Sequence, residues 1–212
     1  MPNKIIMPVV GYGSPILREQ TFEAENNDGT KKVVQQLYDT LNSLHSAVGL
    51  AAPQINSNLS MFIMKLGGNN ICMINPRIIK RRDIQTSEEA CMSIPDVSGI
   101  VPDRSVIIDV EFYDPHFNKH RMKLRGFDSV VFSHEYDHLN GILYTDHMTR
   151  QGREMIADKL FEIEKGNVKT YYDMIFFGPK KPVKFSPIPK KKTSPLLLSA
   201  MFTTMLALTN KP

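Results

Sequence analysis

The run His134-Glu135-Tyr136-Asp137-His138 constrains this chain more than any other feature. Asp128 is placed to cap a helix reaching about Leu139, and Asn140-Gly141 is a stop signal. On such a helix two imidazoles four residues apart project from one face, so both reach one metal ion. Glu135 is rotated by about 100° from His134, which lets it stand beside a water on the ion without ligating. Asp137 faces away, orienting a ligand from behind or meeting solvent. The plainer alternative is a polar helix face whose histidines are only hydrogen-bonded.

A catalytic metal site usually takes three protein ligands and keeps one position open. Downstream of the helix the candidates are His147, Glu154, Glu162 and Glu164, in the manner of zinc peptidases. Upstream stands Cys91, within Glu89-Ala90-Cys91-Met92-Ser93, and a thiolate is a strong ligand for a borderline metal. A lone Cys is otherwise a small buried apolar residue. Cys72, inside an apolar run, fits that description better than Cys91 does. Two Cys rule out a disulfide scaffold and suit a reducing compartment.

The rest of the chain reads as one α+β domain with mixed or antiparallel strands around the metal-binding helix. Residues 2–30 look like an irregular lead-in. Val34, Leu37, Leu41 and Leu44 recur at helical spacing over residues 31–46. Short apolar runs at 61–64 and 71–74 suggest buried strands, and 106–113 with 121–125 suggest a hairpin about Asp114-Pro115. A last helix is expected over 153–165.

Composition, at 42% hydrophobic and 23% charged, is that of a soluble globular protein. The net charge of +4 belongs to the tail. Residues 179–212 hold seven Lys and no acid, leaving 19 basic residues against 22 acidic ones in the body, which is no DNA-binding surface. The division expected is therefore a catalytic domain over 1–178 and a Lys/Pro-rich linker with an apolar end over 179–212. That end is shorter than the roughly 20 residues of a membrane span, so a disordered, loosely docked or partner-binding tail is expected. The first residues lack the apolar core of a signal peptide, and a cytoplasmic location is expected.

Three segments together resemble the signature motifs of peptide deformylases. Gly49-Leu50-Ala51-Ala52-Pro53-Gln54 is similar to G-x-G-L-A-A-x-Q, residues 89–93 to E-G-C-x-S, and residues 134–138 to H-E-x-D-H. The resemblance covers about residues 5–178. It implies that Cys91, His134 and His138 hold one divalent ion, ferrous iron in the cell, with zinc or nickel able to replace it. The substrate it implies is the N-terminal formyl-Met of newly made polypeptides. Hydroxide generated at the metal would attack the formyl carbon, with Glu135 as general acid/base. The Gln54 amide and the Met92 backbone N–H would stabilise the oxyanion. Val48 and Gly49 would pair with an extended substrate or simply make a tight turn. Val130 and Val131 would line a pocket for the Met side chain or belong to the core. The tail lysines offer phosphate contacts to ribosomal RNA.

The sequence departs from the family pattern at three places. Ala47 and Ala90 stand where the motifs have Gly, which costs roughly 1 kcal/mol or more if either backbone needs positive φ. Asp103 intervenes between Val101-Pro102 and Arg104, which displaces by one residue the usual partner of Glu89. Two rival readings remain at this stage: an HExxH zinc peptidase with a downstream third ligand, and a non-catalytic binding module with the same fold.

Overall fold

Strand β3 (Met61–Leu66) is apolar at consecutive positions because both of its faces are covered. Met61 and Ile63 point to one side, where they pack with Val34, Leu37 and Leu41 of helix α1 (Asp28–Ser43). Phe62 and Met64 point to the other, against Phe132 and Val131 of helix α2 (Phe127–Leu139). The sheet is thus a layer between two helices. The computed structural model describes residues 4–177; the expected tail, 179–212, lies outside the described residues.

Five antiparallel strands run in the order β2-β3-β4-β5-β6, with β2 Gly49–Ala51, β4 Asn69–Cys91, β5 Ile94–Tyr113 and β6 Lys119–Arg125. The expected 106–125 hairpin is β5 and β6. The short runs at 61–64 and 71–74 are parts of a larger meander, whose β4 and β5 form one long, irregular hairpin. A two-stranded parallel sheet joins β1 (Val9–Val10) to β7 (Met174–Ile175). Helices α3 (Tyr144–His147) and α4 (Arg150–Glu164) close the far end over Ile94, Val97 and Val101.

The helix termini differ from expectation. Asp128 lies in the first turn of α2, and the cap position is Gly126, with φ of 53°. A positive φ is where Gly replaces any side-chain cap. Helix α4 begins earlier than 153 because the Thr149 side chain accepts from Gly152 N at 3.1 Å. The α2 stop falls at Asn140-Gly141, and Gly141 is required twice over. Its φ is 67°, and a Cβ there would lie 2.5 Å from the Arg18 carbonyl oxygen.

Helix α2 has no solvated stripe. Residues 129–133, Glu135, His138 and Leu139 are all buried, so this helix sits inside the protein. Phe132, fully buried, meets Phe62 edge-on with ring centroids 5.3 Å apart. Phe132→Ala is expected to cost about 3–5 kcal/mol of stability, read from urea unfolding curves.

Candidate active site

Three elements converge at one end of α2. The last residue of β4 is Cys91, and α2 contributes His134, Glu135 and His138. The 3-10 turn Ala52–Ile55, directly after β2, contributes Gln54. The ligand atoms of Cys91, His134 and His138 all lie within 4.8 Å of one another, with Cys91 Sγ 3.3 Å from His138 Nε2. Burial alone would push the Cys91 thiol up, but His138 and His134 beside it outweigh burial and hold it well below the ordinary thiol range. A buried sulfur and two imidazoles are a donor set suited to a borderline divalent metal. Cys72 is buried too, and there burial prevails, raising its pKa to about 12.

No downstream residue joins this group among the described residues. His147 Nε2 bonds Asp137 Oδ2 at 2.8 Å, Glu154 accepts from exposed Arg150, Glu162 accepts from Asn167, and Glu164 lies beside Gly13.

Behind the ligands lies a chain of buried charges. His134 Nδ1 donates to Glu89 Oε2 at 2.9 Å, which turns Nε2 toward the metal group and fixes the tautomer. Arg104 grips Glu89 through Nε (2.6 Å) and Nη2 (2.9 Å), and its Nη1 donates to Asp137 at 2.6 Å. Burial would raise the Glu89 carboxyl, yet His134 and Arg104 bring it down to about 2. Asp137 is therefore neither solvated nor in contact with a ligand; it is the far anchor of Arg104.

The three departures resolve structurally. Pro102 and Asp103 of β5 stand opposite Thr86 alone, between the pairs Gln85↔Arg104 and Ser87↔Val101. This bulge takes up the intervening residue, and a bulge is also where a strand tolerates Pro. Arg104 thereby faces Glu89 after all. Neither Ala47 nor Ala90 is among the residues with positive φ, so neither Cβ is strained.

A cleft of about 630 Å³ opens in front of Cys91 and Glu135. Val48, Gly49, Met92, Val130 and Val131 all line it, and Val131 also belongs to the core behind. Gly49 lies in edge strand β2, so its conformation is extended rather than a turn. Its missing Cβ matters because one would fall 2.3 Å from Glu135 Oε1. Burial raises the Glu135 carboxyl to about 7, partly countered by His134 and His138, and its Oε2 has no hydrogen-bond partner among the described residues. Gln54 is oriented by Ala51 N–H donating to its Oε1 (2.8 Å), leaving Nε2 to approach Cys91 Sγ (3.4 Å) and Ser93 Oγ (3.3 Å).

Sequence reasoning missed Tyr144, whose ring stacks on His134 at 6.1 Å, and Tyr172, whose hydroxyl donates to the Met92 carbonyl at 2.7 Å. Neither carries a local signal: Tyr144 follows α2 after a short loop as a lone aromatic, and Tyr172 arrives from near the far end of the described chain.

A thiolate and two imidazoles, with an unpartnered carboxylate at the head of a cleft, define a metal-dependent hydrolase. The family model for polypeptide deformylases matches residues 6–154. A peptide deformylase of Flavobacterium psychrophilum is 33% identical over 189 residues, 80% of this chain and 96% of that protein. The solved Plasmodium falciparum peptide deformylase, in complex with an inhibitor, is 33% identical with a TM-score of 0.68, covering 74% of this chain and 99% of that one. The Thermus thermophilus enzyme superposes with a TM-score of 0.71 at 29% identity, over 76% and 99%. This chain belongs to the peptide deformylase family.

Two substitutions probe the site. Arg104→Ala leaves Glu89 buried with less compensation and is expected to cost about 3–5 kcal/mol in chemical denaturation. Gly49→Ala forces Glu135 aside, so turnover is expected to drop by about 10²-fold or more while metal stoichiometry stays at wild-type level.

Proposed function

We propose that Cys91, His134 and His138 hold the divalent ion with which this peptide deformylase removes the N-formyl group from the N-terminal Met of newly made polypeptides. The observation that carries the residue assignment is the clustering of those three donor atoms beside Glu135 at the head of the cleft. An ion held by these three residues would supply Lewis acidity toward a water and the formyl oxygen. Ferrous iron is the ion proposed, with zinc or nickel as replacements, because all three accept a mixed sulfur and nitrogen set.

Glu135 takes the proton of the attacking water and delivers it to the departing amine nitrogen. A pKa near 7 suits a group that must both accept and release a proton at neutral pH. Gln54 Nε2 and the Met92 N–H donate to the oxygen on which charge develops. The Gln54 acceptor atom is already occupied by Ala51, so its donor end is the one offered to the cleft. Val48 and Gly49, where edge strand β2 begins, lie alongside the extended substrate backbone, with Gly49 offering the free edge. Val130 and Val131 form the apolar wall for the Met side chain.

Residues 1–178 constitute the catalytic part, acting in the cytoplasm where formyl-Met chains are made. The Lys-rich segment beyond it adds phosphate contacts to the ribosome. Deleting residues 179–212 is expected to weaken ribosome binding at low salt and to have little effect at high salt, measured by cosedimentation; equal binding at every salt concentration discards that contact.

The reaction is tested by anaerobic release of formate from formyl-Met-Ala, with metal content determined in parallel. Glu135→Ala should bind its metal and lose about 10²–10⁴ in kcat. Cys91→Ser should lose the stoichiometric metal, whereas Cys72→Ser should keep it. Full activity in a metal-loaded Glu135→Ala variant would remove Glu135 from the mechanism.

A further inference from the structure

The turn that carries the Cys91 ligand is poorly held by its own hairpin. Cys91 pairs with Ile94 across the two-residue loop Met92-Ser93, yet the preceding pair is Ala90 with Ser98. Pro95, Asp96 and Val97 therefore bulge out with no counterpart in the β4 register, and the tip is cut off from the ladder behind it. Two-residue hairpin loops normally use positive φ at one or both positions to match the strand twist. Neither Met92 nor Ser93 has positive φ, so this loop is of the kind that splays its strands.

Three bonds from outside the hairpin hold the tip instead. Tyr172 Oη donates to the Met92 carbonyl at 2.7 Å, Tyr12 N–H donates to the Ser93 carbonyl at 2.8 Å, and Gln54 Nε2 approaches Ser93 Oγ at 3.3 Å. The Met92 carbonyl belongs to the central peptide of the turn, the unit that rotates when one turn type converts to another. Pinning it restrains Met92 on its carbonyl side, while the Cys91 side chain, beside His138 and Gln54, anchors the preceding peptide that carries the Met92 N–H. Tyr172 also borders the cleft, and its ring packs against the core cluster between α1 and β3, so the ring has contacts besides that hydroxyl.

We propose that Tyr172 is a positioning residue for deformylation: by holding the Met92 carbonyl its hydroxyl restrains the backbone at Met92, so that the N–H of the adjoining Cys91–Met92 peptide stays aimed at the developing oxyanion. This rests on the assignment of that N–H as an oxyanion donor.

The test is Tyr172→Phe, which deletes the hydroxyl and keeps the ring. Formate release, KM for formyl-Met-Ala, metal content, thermal midpoint and amide hydrogen exchange are measured beside wild type and Glu135→Ala. The expected result is a kcat lower by about 10- to 100-fold, with KM within about two-fold and metal content and thermal midpoint unchanged. Exchange should quicken in a peptide spanning residues 88–96 and stay constant over 77–85. Unchanged kcat overturns the proposal, including when exchange quickens at the tip, because the turn would then be loosened without consequence for the reaction. A fall in kcat that follows loss of metal or a lowered thermal midpoint also overturns it, since the role would be structural. In either case wild-type turnover that disappears in Glu135→Ala leaves the reading of the reaction standing.

Discussion

A charged group in a protein interior survives only where its neighbours replace water, and this fold is organised around meeting that condition for Glu89 and Arg104. Both are nearly inaccessible to solvent. Their pairing spans β4 and β5, and its two ends reach α2, through His134 on one side and Asp137 on the other. His147 continues the chain into α3. The two elements that supply Cys91, His134 and His138, β4 and α2, are both tied into this network, so His134 is oriented by the same contacts that make the burial of charge tolerable. Such a network contributes less to stability than its number of bonds suggests, because desolvation offsets most of the Coulomb gain. What it secures is the direction of the His134 ring.

The clustering of Cys91, His134 and His138 was legible in the sequence because it depends on residue type and helical spacing. His134 and His138 need only α2 to share a face, and α2 needed only a start near residue 127 and a stop at Asn140-Gly141. Cys91 emerged from its motif, and the rejection of Cys72 agrees with its place in β4 against the α1 layer. The role of Gly49 was only half visible. Strand pairing can be guessed from an apolar run, but the approach of Glu135 to within a missing Cβ is a tertiary fact. The length of the β4–β5 hairpin was illegible for a related reason: beyond Ile74, β4 alternates charges and apolar residues without the clean period of a half-buried strand. The extra residues of β5 opposite Thr86 and beside Cys91, Pro102-Asp103 and Pro95 to Val97, break the register where the site is built.

The departures from the family motifs show how local irregularity absorbs sequence change. An inserted residue in a strand would ordinarily rotate every later side chain to the opposite face. Here the bulge at Pro102-Asp103 takes up the extra residue, and Arg104 faces inward. The Ala residues at 47 and 90 have no positive φ, so their methyl groups are unstrained; both line the cleft, and Ala47 also belongs to the core behind it.

The parallel pairing of β1 with β7 has a consequence for how the enzyme comes into being. It joins Val9 to Met174, almost the two ends of the described chain, and closing so long a loop is among the slowest events in folding. The segment bearing Tyr171 and Tyr172 can settle over the cleft only after that closure. During synthesis β4 and α2, with Cys91, His134 and His138, therefore emerge from the ribosome before the wall that completes the cleft. A growing copy passes through a stage in which Cys91, His134 and His138 have all been synthesised while the cleft still lacks one wall.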